Sequence, residues 1–234
     1  VRQGTWKIFW AILALSLIGP ADRLFCAKIF DKAAKKQLTA YLDEMCQWIL
    51  ARQQASQSSG DPFYLQGNLA RVLMAGSELT KDNSRYLDEA LRWCDHFVSQ
   101  QQKVVTAKGS QGGFWFNPKL PGALDLSGNS LAAMALARGY AYAGGNRKKE
   151  YQQALERYAR FLVEGLQGDS VHQFPASSGW VIKQGEEAGA IGFGYAKGAV
   201  LQKPATSSTA AGAAFFIGLY GISRNRQYRD TGLS

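Results

Sequence analysis

The stretch Asp125–Gly168, DLSGNSLAAMALARGYAYAGGNRKKEYQQALERYARFLVEGLQG, decides the reading of this chain. Its first half is crowded with small residues: Ala132, Ala133, Ala135, Ala137, Gly139, Ala141 and Ala143. A helix with so little bulk on any side lets its neighbours approach closely. Gly144, Gly145 and Asn146 end that helix and begin another. In the second half Tyr151, Ala154, Leu155, Tyr158, Phe161 and Leu162 recur at three-to-four spacing, with charged residues mostly off that face. The two halves therefore predict an αα-hairpin, one inner small-residue helix and one outer amphipathic helix.

The same pattern recurs on both sides. Upstream, YLQGNLARVLMAGSELT (Tyr64–Thr80) precedes an amphipathic helix with Leu87, Ala90, Leu91, Cys94, Phe97 and Val98 on one face. Downstream, SSTAAGAAFFIGLYGIS (Ser207–Ser223) is followed by Arg224-Asn225-Arg226 and Tyr228, which takes the place of Tyr86 and Tyr151. Ala90-Leu91, Ala154-Leu155 and Gly232-Leu233 line up as equivalent pairs, 64 and 78 residues apart. A degenerate helical repeat implies hairpins stacked side by side, each too small to bury its own face. Inner helices are expected to begin near Tyr64, Ser127 and Ser207, and outer helices near Asp31, Ser84 and Arg147. The fold class expected is all-α, with a long loop or a short β-hairpin between the second and third helical hairpins.

Composition fits a folded domain. Apolar residues make up 46% of the 234 positions and charged residues 19%, which argues against disorder. The net charge of +9, from 27 Lys and Arg against 18 Asp and Glu, either keeps the surface solvated or suits an anionic partner. Lys32–Lys36 and Arg147–Lys149 are the densest basic runs and read as solvated helix starts, so nucleic acid is not expected as a partner.

At the N-terminus, Arg2 and Lys7 precede an apolar run from Ile8 to Ile18 and then Gly19-Pro20-Ala21. This is the layout of a secretory signal over residues 1–21, with cleavage after Ala21 fitting better than after Ala27. An uncleaved anchor is the alternative, although the run is short for a membrane span. Secretion, to the periplasm or outside the cell, is the expectation, with residues 30–234 as the folded domain. Cys26, Cys46 and Cys94 are odd in number. Buried free thiols are the simpler reading, and a Cys46–Cys94 disulfide is compatible with secretion. No spacing suggests a metal site, and no cofactor is expected.

Between the helices lie TAKGSQGGFWFN (Thr106–Asn117), Gly-rich and then aromatic, and a long non-helical stretch from Gly168 to Pro204. The core of the latter is SSGWVIKQGEEAGAIGFGYAKG (Ser177–Gly198), and a hairpin is expected around Trp180–Tyr195. In a ring of hairpins, the loops entering the inner helices share one rim. Carboxylates and aromatics would gather there, as a sugar cleft requires: aromatic faces stack on sugar rings, amides and carboxylates hold hydroxyls, and a carboxyl pair does acid–base work. The candidate substrate-binding residues are Tyr64, Trp115, Asn129, Trp180, Glu186 and Tyr195, with Asp61 and Thr206 nearby. The candidate catalytic pair is Asp125, as base or nucleophile held ionised by the helix it precedes, and Glu187, as an acid partly buried among glycines. The plainer readings are a helix cap for Asp125, a solvated turn for Glu186-Glu187, and core lids for Trp115 and Trp180. His96 reads as exposed and structural, and His172 is the one histidine with a claim to a site.

The patterns LSGNSLAAMALARGYAYAGGNRKKEYQQALERYARFLVEG and ATSSTAAGAAFFIGLYGISRNRQYRD resemble the α/α-toroid, or six-hairpin glycosidase-like, superfamily over roughly Phe30–Asp230. That resemblance implies a carbohydrate-active protein, a glycoside hydrolase-like or uronide-processing enzyme among hydrolases, lyases and epimerases, with a glycan as partner, and the basic charge favours an acidic one. The alternative is a non-catalytic glycan-binding or scaffold protein of the same fold. A closed toroid takes about six hairpins and this chain holds about three, so an open, incomplete toroid is expected, with an apolar edge prone to self-association.

Overall fold

The structure is a computed structural model that describes residues 32–55, 60–80, 84–106, 109–120, 122–165, 179–196 and 199–233. The expected signal segment, Cys26, Asp31 and His172 lie outside them. The described chain is mostly helical: α1 (Lys32–Ala55), α2 (Phe63–Leu79), α3 (Ser84–Gln100), α4 (Leu126–Tyr140), α5 (Gly145–Glu164), α6 (Thr206–Ser223) and α7 (Arg226–Leu233). The small-residue helices α2, α4 and α6 and the amphipathic helices α3 and α5 all begin within two residues of the expected positions.

Strands interrupt the helices at two places. β1 (Gln102–Thr106) and β2 (Gly109–Phe114) form an antiparallel hairpin between α3 and α4. The sequence reading passes over this hairpin, because glycines at 109, 112 and 113 hide the strand pattern. β3 (Leu124–Asp125), β4 (Gly192–Ala196) and β5 (Ala199–Pro204) make a three-stranded antiparallel sheet in the order β3-β4-β5. The hairpin expected around Trp180–Tyr195 is thus shifted: a single Val181–Ile191 bridge closes a turn there, and the paired strands lie just beyond it. The fold is helical with two small sheets rather than purely α.

The chain divides into two compact units. The first contains α1, the Leu69–Leu79 part of α2 and the Ser84–Arg92 part of α3. Its core is Leu42, Cys46, Ile49, Leu73, Tyr86 and Ala90. Gly76 sits where a β-carbon would collide with the Cys46 sulfur and press on the Tyr86 ring at 3.2 Å, so its absence lets three helices meet. The buried Tyr86 hydroxyl donates to Asp43 Oδ1 at 2.7 Å and accepts from Gln47 Nε2 at 2.7 Å.

The second unit holds residues 60–68 and 93 onward. Here α4 is flanked by α5 and α6, and α7 lies against α6. Close approach depends on small residues. A β-carbon at Gly67, in the first turns of α2, would stand 2.9 Å from the Leu131 carbonyl oxygen of α4. One at Gly128 would stand 3.4 Å from the β-carbon of Tyr64. Residue 64 beside 128 and residue 67 beside 131 mean that the first turns of α2 enter beside α4 and point the same way. Gly212 faces Ser130 and Gly218 faces Ala137, so α6 is parallel to α4 as well. The amphipathic helix α5 buries Tyr151, Ala154, Leu155, Tyr158, Ala159, Phe161 and Leu162, the stripe read from its periodicity together with Ala159.

Both described cysteines are buried free thiols, so the Cys46–Cys94 disulfide does not form. Each sulfur instead lies 3.7 Å from a backbone carbonyl, Cys46 from that of Val72 and Cys94 from that of Ala135. Burial pushes the Cys46 thiol up to about 12, and pushes that of Cys94 upward too, so both stay protonated and unreactive.

Candidate functional site at the helix entries

The three-stranded sheet gathers the entries of two small-residue helices. β3 leads directly into α4, and β5 leads through Ala205 into α6. Leu124 pairs with Tyr195 and Asp125 with Gly194. Gly194 has φ +145°, and a β-carbon there would run into the Leu124 carbonyl, so glycine is required for β4 to lie this close. The Ile191 N–H donates to Thr209 Oγ1 at 3.0 Å, tying the start of β4 to the first turn of α6. With Tyr64 against Gly128, the starts of α2, α4 and α6 therefore share one edge of this unit.

Asp125 is the N-cap of α4. Its Oδ1 accepts from the Ser127 N–H at 3.0 Å and its Oδ2 from the Gly128 N–H at 3.2 Å, satisfying two donors that the first helical turn leaves open. Burial pushes its carboxyl above the ordinary range, against the pull of those two N–H groups. Desolvation thus outweighs the pull of the helix end on this carboxyl. Glu187 is the opposite case. It stands exposed in a turn closed by the Gly189 N–H to the Ile182 carbonyl at 2.8 Å and the Ala190 N–H to the Glu187 carbonyl at 3.0 Å. The partial burial behind its acid role is absent, and Glu186 is equally solvated. Among the described residues, no hydrogen bond links the carboxyl groups of Asp125 and Glu187.

Several expected sugar contacts are core instead. Asn129 is 2% exposed. Its Oδ1 accepts from the Trp115 N–H at 2.8 Å, and its Nδ2 donates to the carbonyls of Trp115 at 2.9 Å and Asp125 at 2.8 Å. It thereby clamps the chain leaving β2 to the start of α4. Trp115 is fully buried, with its indole N–H donating to the Phe97 carbonyl at 2.7 Å and its ring 5.5 Å from that of Tyr158. Trp180 is buried against Phe161, at 5.9 Å between ring centroids, and its backbone N–H donates to Leu162 at the end of α5. Tyr195 is 7% exposed. None of these four presents a face for stacking, because each is buried.

Tyr64 is the exception, at 46% exposed with its β-carbon against Gly128. Nearby, Asp61 forms an ion pair with Lys119 at 3.6 Å. Phe193, in β4, is 45% exposed; the sequence reading passes over it because the Gly-rich surroundings suggest a turn. His96, expected to be exposed, is half-buried with its ring stacked on Phe63 at 6.5 Å and edge-on to Trp93 at 5.6 Å. Burial lowers its proton affinity. Among the described residues no group of three or more His, Cys, Asp or Glu could hold a metal ion, and no helix is long and apolar enough to cross a membrane.

No protein-family model, curated protein or solved structure matches this chain.

Proposed function

We propose that this is a secreted carbohydrate-active protein built of α/α-toroid hairpins, and that it holds its glycan across the edge where α2, α4 and α6 begin. The observation that carries the reading is the exposed Tyr64, whose β-carbon and backbone abut Gly128 in the turn that Asp125 caps, at the side-by-side entries of small-residue helices. An exposed aromatic next to fixed polar groups is what sugar rings require, since one ring face is apolar and its rim is hydroxylated.

The non-catalytic, glycan-binding form of this reading suits the site better than a hydrolase-like or uronide-processing enzyme. Both carboxylate oxygens of Asp125 are engaged by backbone N–H groups, and Glu187 is in solvent.

The test is a glycan array on the intact chain, paired with assays for hydrolysis and elimination on each glycan retained. Binding without turnover, weakened about tenfold or more by Tyr64→Ala at unchanged melting temperature, is the expected result. Turnover abolished by Asp125→Asn would establish the enzyme reading. Retention of no glycan by the wild-type chain would overturn both.

A further inference from the structure

The far ends of α4 and α6, opposite the edge that holds Tyr64, carry an excess of positive charge. Gly212 against Ser130 and Gly218 against Ala137 hold the two helices in register. Tyr140 closes α4 three residues beyond Ala137, and Ser223 closes α6 five beyond Gly218, so both end within about one turn of the same level. α5 and α7 start from these ends. The two stretches that lead into them, AYAGGNRKKE (Ala141–Glu150) and RNRQYRD (Arg224–Asp230), hold six cations against two acids. Arg147 is paired with Asp95 and Arg229 with Asp230. Among the described residues no ion pair engages Lys148, Lys149, Arg224 or Arg226, and all of these but Lys148 are exposed.

Several of these cations stand where local stability disfavours them. Arg147, Lys148 and Lys149 lie at the start of a 20-residue helix that has no acid in its first turn and no side chain at its Gly144 cap. The helix dipole favours anions there and repels cations. Arg226 opens α7 in the same unfavourable position. Arg224 caps the end of α6 at φ 58° and is the one non-glycine with positive φ among the described residues. Glycine or asparagine takes that backbone at less cost. Rules of local stability broken together on one edge mark a surface shaped for a partner. The rings at this edge repeat a second device. Lys148 Nζ stands 4.7 Å from the centre of the Tyr140 ring, and the Arg229 guanidinium carbon 5.9 Å from that of Tyr220. Each helix thus ends near a half-buried tyrosine under a cation.

We propose that this edge docks on an anionic lipid bilayer, with Lys149, Arg224 and Arg226 against the headgroup phosphates and Tyr140 and Tyr220 at headgroup depth. Helix ends at one level present a flat face, as a bilayer plane requires. Tyrosines beside cations are the residues that settle at that depth, with an apolar body and a polar tip. Nucleic acid is the other polyanion that such charge suits. It is disfavoured because base stacking needs open aromatic faces, and here a cation lies over each ring. The docked chain holds the Tyr64 edge away from the bilayer by the length of α4, 15 residues or about 22 Å. Docking here is independent of what the Tyr64 edge binds.

The experiment is co-sedimentation of the full chain with two kinds of vesicle, phosphatidylcholine alone and phosphatidylcholine mixed with phosphatidylglycerol. Partition of the apolar run Ile8–Ile18 is common to both, so the difference between them reads the charged edge. The wild-type chain should bind the phosphatidylglycerol vesicles more tightly, by a margin that added salt removes. Lys149→Ala and Arg226→Ala should each weaken that binding about fivefold, the loss of one cation at an anionic surface, with binding to neutral vesicles unchanged. Arg224→Gly should weaken it likewise without lowering the melting temperature, because glycine accepts the left-handed backbone. Equal binding of the wild-type chain to both vesicles, or variants that keep its preference, would overturn the proposal. So would lowered melting temperatures at unchanged vesicle binding, which would assign these cations to the carbonyl ends of α4 and α6. Retention of a duplex DNA oligonucleotide in place of the vesicles would make this edge a nucleic-acid surface and overturn the proposal as well.

Discussion

The Tyr151 hydroxyl donates a 2.7 Å hydrogen bond to Asp95 Oδ1, and the Tyr86 hydroxyl donates one of the same length to Asp43 Oδ1. In each case a tyrosine near the start of one amphipathic helix latches a carboxylate on the amphipathic helix before it. The two tyrosines occupy equivalent places in the sequence repeat, so the repeat carries a specific polar contact as well as an apolar stripe. Asp95 also pairs with Arg147 at 2.9 Å, but both of those side chains are more than a third exposed.

Tyr151→Phe and Tyr86→Phe should each destabilise the chain by about 1.5–3 kcal/mol, the range for a hydrogen bond to a charged group. Arg147→Ala should cost less than about 1 kcal/mol, because a solvent-screened pair contributes little. Urea unfolding of the three variants measures the contrast. An Arg147→Ala loss equal to that of Tyr151→Phe would show that the ion pair, not the phenol, holds the latch.

Asp125→Asn should keep the cap of α4 and change stability by only a few tenths of a kcal/mol, since Asn caps as well as Asp, whereas Asp125→Ala should cost about 1 kcal/mol. The pH dependence separates Asn from Asp. Folding raises the Asp125 pKa above its ordinary 3.8, so the folded state holds this proton more tightly than the unfolded one. The resulting stability is fully present below the unfolded value and is lost as pH rises through the folded value. Asp125→Asn should remove that fall, visible as a difference in unfolding free energy between the two proteins on the alkaline side of pH 4.

His96 has the opposite sign. Burial lowers its pKa below the ordinary 6.5, so the unfolded chain binds the proton first. Stability from neutral His96 is present above that value and is lost as pH falls through it toward the folded value. His96→Phe, placed among Phe63, Trp93 and Phe97, should flatten the fall of melting temperature as pH drops below the ordinary 6.5. An unchanged profile would mean the imidazole is solvated in the folded state.

Asn129→Ala should cost about 2–4 kcal/mol, because it strips three hydrogen bonds, two of them buried, and leaves the Trp115 N–H without its acceptor. The near-ultraviolet circular dichroism of the buried Trp115 should weaken with it. A stable variant with an unchanged signal would show that the clamp is redundant with the Trp115–Phe97 bond.

The alternation of small-residue and amphipathic helices was legible in the sequence because its causes are local. Three-to-four spacing aligns Tyr151, Leu155, Tyr158 and Leu162 on one face whatever lies opposite. Gly144-Gly145 interrupts the chain by backbone freedom alone. Asp125 as a helix cap was legible for the same reason, since its partners lie two and three residues on. The sheet was not, because the pairing of Leu124 with Tyr195 depends on a glycine at 194 tolerating contact with a distant carbonyl. Nor was the depth of each site residue. Trp115, Asn129 and Trp180 look like surface ligands in a loop-rich sequence, and only the packing of α4 and α5 around them makes them core. Burial is a sum over neighbours from several elements. It decided that Asp125 is half-buried while Glu187 stands in solvent, and that the Ser208 hydroxyl is left without a partner at the start of α6.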